Sequence, residues 1–254
     1  MHTRVRLQIL TCLAVGLASL AYPLPGRAQA LDDAASYMKK GDDGIISGDF
    51  DSAIANYTRA LDLQPRDVDI LTNRASAFVL KKDPVHAVDD LNAALEITPD
   101  DISLRNMRAH ARFTAGQFAV AAEDFDAVVP RTPEYTLGRL LRYIAHRRSG
   151  SAATATLLRD AEDLDRKGWP WPMVAVYLGE MSIGDMRATV ATMKLDDNFN
   201  ACGVSFYLAE YAMVRRQPAE AIPLFKEATK VCSGDGAFER DAAVKELERI
   251  DTAK

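Results

Sequence analysis

Apolar residues follow two different patterns along this chain. Residues 7–22 form one run of sixteen positions without a charge, behind Arg4 and Arg6 and ahead of Pro23, Pro25 and Gly26. Beyond residue 30 the apolar positions fall in columns instead. Ala53, Ala87 and Ala121 are 34 residues apart, and so are Tyr57, Leu91 and Phe125. Ala60, Ala94 and Val128 keep that step, as do Pro65, Pro99 and Pro133. A fixed interval of this size marks a stacked-repeat architecture. Small residues in the Ala columns let two helices approach closely, and the large residue fills the groove beside them. Proline lies past the helix end, where it cannot continue the helix. No unit buries its apolar face alone, so neighbours must stack.

The columns predict helix pairs over 32–64, 67–98 and 101–132, with Asp32 or Asp33 as the first N-cap. A less regular pair follows. Its helices are expected over 135–148 and 152–164, around Ser149-Gly150-Ser151, with Leu157, Leu158, Ala161 and Leu164 on the apolar face of the second. Trp169-Pro170-Trp171-Pro172 then breaks the phase. Short helices are expected over 173–178 and 185–193. A last pair begins near Asn200, with Ala221, Phe225 and Ala228 back in the columns. A charged helix over 237–250 would close the final apolar face.

The columns resemble the tetratricopeptide repeat, and Gly48-Asp49-Phe50-Asp51-Ser52-Ala53-Ile54 resembles that family's turn into its second helix. The resemblance implies an all-α superhelical solenoid of antiparallel helix pairs with a C-terminal capping helix. Its parts are a leader at 1–30, three regular units at 31–133, a divergent pair with the Trp-Pro junction at 134–200, and a closing pair with its cap at 201–254. The C-terminal half adds a narrower likeness. Val176-Tyr177-Leu178-Gly179-Glu180, Phe206-Tyr207-Leu208-Ala209-Glu210-Tyr211 and Ala219-Glu220-Ala221-Ile222-Pro223-Leu224-Phe225-Lys226 follow in an order similar to periplasmic tetratricopeptide lipoproteins of the NlpI type. Those are all-helical, often dimeric adaptors for a tail-specific protease or cell-wall hydrolases.

Charge and composition narrow the classes. A net charge of −5 argues against a nucleic-acid binder, which needs a basic footprint. The basic start, the charge-free run and Ala28-Gln29-Ala30 have the layout of a secretory signal peptide cut after Ala30. The run is short of the ~20 residues that span a bilayer, so no stable membrane insertion is expected. Cys12 lies mid-run, not at the cut, so no lipid anchor is expected either. The compartment implied is the bacterial periplasm.

Two cysteines remain beyond the leader, Cys202 and Cys232. They fall just before and just after the helices of the last pair, at the same end of an antiparallel hairpin. A disulfide and two free buried thiols are both open. Catalytic and metal motifs are missing. There is no Ser-His-Asp order, phosphate-binding glycine loop or H-E-x-x-H, and His86 with Asp90 reads as a surface pair. No enzyme, cofactor or metal is expected. Asp42-Asp43, Asp89-Asp90, Asp100-Asp101 and Asp196-Asp197 read as caps and solvated turns.

The family resemblance places a concave groove on the first helix of each unit. Its inward positions fall on Met38, Asp42 and Ile45, on Asp69, Thr72, Asn73, Ser76 and Val79, and on Ser103, Asn106, His110 and Phe113. Asp42, Asp69, Asn73, Ser76, Asn106, His110 and Phe113 are the candidate contacts to a protein or peptide partner. Asn73 matches one member of the clamp by which some relatives hold a C-terminal carboxylate, but Met38, Ser103 and Met107 replace its basic members. Asn73 reads equally as a helix-to-helix hydrogen bond, and Trp169 and Trp171 as a junction plug or a ligand platform. The expected role is an adaptor or scaffold in envelope maintenance. The alternative is a structural subunit bound by its outer faces.

Overall fold

The computed structural model describes residues 25–193, 197–232 and 237–253. The apolar run at 7–22, Cys12 and Asp196 lie outside them. Among the described residues there are thirteen α-helices, one 3-10 turn and no strand. The first three pairs are α1 (Pro25–Ser47) with α2 (Phe50–Leu63), α3 (Val68–Leu80) with α4 (Pro84–Ile97), and α5 (Ile102–Thr114) with α6 (Phe118–Val128). A 3-10 turn Val129–Arg131 leads to α7 (Thr136–Arg148), α8 (Thr154–Asp160), α9 (Trp171–Leu178) and α10 (Ile183–Thr192). The last pair is α11 (Asp197–Val214) with α12 (Pro218–Val231), followed by α13 (Phe238–Thr252).

The regular helices start and stop for local reasons. Asp49 and Asp83 cap α2 and α4, accepting from the backbone N–H of Ser52 and His86. Asp67 and Asp101 cap α3 and α5 in the same way through Ile70 and Leu104. Each cap satisfies an N–H that would otherwise lack a partner, worth about 0.5–2 kcal/mol. The turns inside the pairs need a left-handed residue. Gly48, Lys82, Gly116 and Gly150 supply it at φ of 76, 67, 77 and 91°, one further column at the repeat step.

Close approach explains the small residues. A Cβ added to Gly41 of α1 would stand 2.4 Å from the Tyr57 ring, and one on Gly44 would stand 2.9 Å from the Ala53 amide nitrogen. Ala53, Ala60, Ala87, Ala94 and Ala121 are all fully buried. A column of charge runs through the same units. Arg74 donates to Asp90 at 2.8 and 2.6 Å and to Thr58 at 3.0 Å. Arg108 donates to Asp124 at 2.9 and 2.7 Å and to Asn92 at 2.9 Å. Arg142 donates to Asp160 and lies 3.9 Å from Asp126. Each arginine ties its own pair together and reaches back to the preceding one. Because Asp90 and Asp124 are buried, removing one partner would leave an uncompensated charge.

The buried apolar residues form two clusters that divide at α5. Leu104 and Ala111 belong to the cluster of α2–α4, whereas Ala109 and Phe113 belong to the larger cluster of α6–α13. The chain curls so that α11 packs on α7 and α13 reaches back to α5.

Three expectations are corrected and a fourth is extended. Helix α1 begins at Pro25, so Asp32 and Asp33 lie within it and cap nothing. The second helix of the divergent pair covers only Thr154–Asp160, and Leu158 points outward with 49 % of its surface exposed. Cys202 lies inside α11, not ahead of it. The helix over 237–250 exists as α13, but it does more than close the end of the stack: it also faces the concave side of the third unit.

Candidate partner-binding cleft

Helices α3, α5 and α13 enclose a cleft of about 520 Å³. Val79 and Leu80 of α3, Leu91 of α4, and Met107 and Ala111 of α5 make its apolar floor, and Val244 of α13 faces them. Ser76, Asn106, His110, Thr114 and Phe238 complete the walls, with Lys82, Arg240, Asp241 and Lys245 as the charged residues.

Helix α13 is held in place by contacts that cross the molecule. Phe238 meets His110 edge-on with ring centroids 4.7 Å apart, and Phe113 at 5.7 Å. The Lys82 ammonium lies 2.6 Å from Asp241. Arg249 donates to the Thr114 carbonyl at 2.8 Å. Deeper in, Arg148 of α7 donates to Glu210 of α11 at 2.6 Å and to Glu246 of α13 at 2.8 Å. Both carboxylates are fully buried, and Arg148 lies over the Phe118 ring at 4.3 Å. Burial pushes the Glu210 carboxyl up to about 7; Arg148 opposes the shift and Glu246 adds to it.

The groove residues expected from sequence divide into three groups. Ser76, Asn106 and His110 do line the cleft. The Ser76 hydroxyl donates to the Thr72 carbonyl at 3.0 Å, so it serves its own helix. His110 is engaged on both nitrogens. Its Nδ1 donates to the Asn106 carbonyl at 2.9 Å, which leaves Nε2 to accept from the Tyr135 hydroxyl at 2.7 Å. Burial lowers the His110 pKa, the Asn106 carbonyl opposing, so the ring is a neutral part of the wall. Asn106 differs: its side-chain Oδ1 is buried and accepts no hydrogen bond.

Asp42, Asp69 and Asn73 do not line the cleft. Asp42 accepts from the Tyr57 hydroxyl at 2.7 Å, Asp69 is exposed in the first turn of α3, and Asn73 is half-buried beside it. Phe113 is a correction. It is fully buried against Phe118, Phe206 and Phe238, so it belongs to the core and offers no surface to a partner. His86 pairs with Asp83 at 2.6 Å and not with Asp90, which Arg74 occupies. Trp171 is buried at the start of α9 under Arg166, which fits the junction reading. Cys202 and Cys232 are joined, with their Cα atoms 4.7 Å apart. Among the described residues, no three His, Cys, Asp or Glu side chains converge as a metal ion would require.

Sequence reasoning missed the α13 wall and Lys82. The 34-residue step does single out Lys82, because it holds the left-handed turn position where Gly48, Gly116 and Gly150 stand; in the last pair, out of that step, Arg216 holds it. A side chain in that conformation costs about 1–2 kcal/mol. The columns are silent about α13, which is not a repeat unit and lies more than a hundred residues from α5.

Residues 45–102 match the tetratricopeptide repeat family. The fold is that of tetratricopeptide repeat proteins. These mediate protein–protein interaction, and their stacked helix pairs create extended concave surfaces. No curated protein matches this chain significantly. Among solved structures, a tetratricopeptide repeat protein from Parabacteroides merdae is 17% identical, covering 84% of each chain at a TM-score of 0.55. The first tetratricopeptide domain of Spaghetti, bound to an HSP90 peptide, is 26% identical over 48% of this chain and 96% of its own, at a TM-score of 0.43. The TPR2B domain of yeast Sti1, in complex with pHsp70, is 24% identical over 46% of this chain and 98% of its own, at a TM-score of 0.40.

Proposed function

We propose that this protein is a non-enzymatic adaptor that holds a segment of a protein partner in the cleft between α3, α5 and α13. One observation carries the reading: a preformed, largely apolar cleft on the concave side contains a buried carbonyl oxygen, Asn106 Oδ1, without a donor. An unsatisfied buried acceptor costs about 1–3 kcal/mol, which a ligand N–H would recover. A rigid cleft also lowers the ordering cost of binding. Among the groove candidates, Ser76, Asn106 and His110 form its walls, and Asp42, Asp69 and Asn73 would meet a partner only if it extends beyond the cleft.

The setting we propose is the bacterial periplasm, in envelope or cell-wall maintenance, with a protease or cell-wall hydrolase as the kind of client. The leader-like start, a cysteine pair suited to an oxidising compartment, and the order of the C-terminal motifs support this. Cleavage after Ala30 would leave Asp32 and Asp33 in the first turn of a shortened α1, where carboxylates favour the helix dipole. Intact mass of the exported protein tests the cut, with Leu31 expected at the N-terminus.

The cleft is tested by filling it. Ser76→Phe adds a ring at a half-buried wall position whose hydroxyl bonds only its own helix. Partners crosslinked by the wild type and lost by Ser76→Phe, at an unchanged melting temperature, are expected. Partners retained in full would assign binding to the outer faces, as for a structural subunit.

A further inference from the structure

We infer that the cleft selects an acidic segment carrying a large apolar side chain, and that the selecting charges come from outside the repeat surface, mainly from α13. This deepens the proposed function and rests on it. The apolar floor of Val79, Leu80, Met107 and Ala111 is supplied by α3 and α5, and it contains no charge. The charged residues of the lining are Lys82, Arg240 and Lys245 against the single carboxylate of Asp241. The lining therefore carries an excess of two positive charges in a chain whose net charge is −5. Asp241 is engaged by Lys82 at 2.6 Å and by Arg240 at 3.5 Å, so it faces the rim cations and not a ligand, and the excess of two already counts it. Among the described residues Lys245 pairs with Glu248 at 2.9 Å, one helical turn along the same helix. Apolar walls beneath a cationic rim strengthen attraction for an acidic partner and repel a basic one.

Lys82 also fixes the wall that carries these charges. The turn position favours glycine, which three other pairs have there, whereas the last pair holds Arg216 at φ 60°. This unit keeps a lysine in the left-handed conformation, and its ammonium holds Asp241 and so positions α13 across the cleft.

The experiment is selection of a random peptide library displayed on phage. The targets are the full chain, the Arg240→Glu/Lys245→Glu variant and Ser76→Phe. Wild type is expected to enrich peptides with Asp or Glu flanking Leu, Met or Phe. Synthetic copies should bind about tenfold tighter than versions with Gln in place of the acids, the gain expected of two or three rim charge pairs. That preference should shrink with added salt and invert toward Lys and Arg in the double variant, whose melting temperature serves as its folding control. Lys82→Gly relieves the turn and should weaken acidic peptides without lowering the melting temperature of the repeats. Enrichment of neutral or basic peptides by wild type, or a preference unchanged by reversing α13, overturns this inference and leaves the adaptor reading standing. Failure of wild type to enrich any peptide over Ser76→Phe overturns both.

Discussion

The first three helix pairs and the region from α7 to α13 are held together by different kinds of interaction. In the first, the same few devices return at one step. They are an alanine at each close contact, a left-handed turn residue, aspartate caps, and an arginine that binds its own pair and the one before. Apart from the contacts that Lys82 and α5 make with α13, each unit packs on its neighbours, so damage within the repeats stays local. In the second, each device occurs once and links distant parts of the chain. Arg148 joins α7, α11 and α13, the disulfide ties α11 to the end of α12, and Phe238 closes α13 onto α5. The third unit marks the border. Gln117 and Tyr135 stand where the cap positions of the earlier units have aspartate, and neither makes a side-chain cap bond. Repetition yields a sequence that can be read column by column, whereas single long-range contacts leave no periodic trace.

Removing Arg148 should separate the two regions most sharply. Arg148→Met leaves Glu210 and Glu246 buried without their shared cation and should destabilise the chain by about 3–5 kcal/mol in denaturant unfolding. Hydrogen exchange should rise in α7, α11 and α13 while α2–α4 stay protected. Equal loss in α2–α4 would mean that the two regions unfold as one.

Loss of the disulfide comes next. Cys202 and Cys232 are 30 residues apart, and a closed loop of that size contributes about 3–4 kcal/mol in the chain-entropy model. Paired Cys202→Ser and Cys232→Ser substitutions should loosen α12 and α13 first. Two reactive thiols beyond residue 30, at Cys202 and Cys232, in unreduced, denatured wild type would show that the bond is absent.

Within the repeats, Ala87→Leu overfills a position with no exposed surface and should cost about 1–3 kcal/mol. The thermal melt is expected to shift while the Arg148 contacts, reported by exchange in α13, are kept. An unchanged melt would contradict the assigned phase.

The smallest effect depends on pH. The folded Glu210 value of about 7 lies above its usual 4.5, so the native state binds that proton more tightly than the unfolded chain. The contribution to stability is therefore complete below 4.5 and is lost as pH rises through about 7. It is worth about 1–2 kcal/mol once relaxation of the buried pair is allowed for. Glu210→Gln should flatten the decline between pH 5 and 8 by this amount. An identical slope in both proteins would show that Glu210 does not titrate in this range.

Part of the candidate cleft was legible from these columns. Ser76, Asn106 and His110 stand in the cleft because the inner face of a stacked helix is a matter of phase, and phase is written in Ala53, Ala87 and Ala121. Phe113 was misplaced for the opposite reason. Its position in the repeat points inward, but α11 and α13 fold back and cover it with Phe206 and Phe238. Likewise Asp32 and Asp33 suit a helix start, yet α1 begins earlier, and capping propensity is a weaker cue than continuous helical sequence.

The sequence alone determined the three regular helix pairs and the tight contacts at the alanine columns, because each follows from local periodicity and short chain separation. Only the tertiary structure decided where α13 goes. Its contacts with Lys82, Thr114 and Arg148 join residues roughly a hundred or more positions apart. Such contacts depend on the curvature accumulated over every preceding helix pair, which no single segment encodes. The cleft is made by that closure: the repeats contribute its apolar floor, and α13 contributes its far wall and most of its charge.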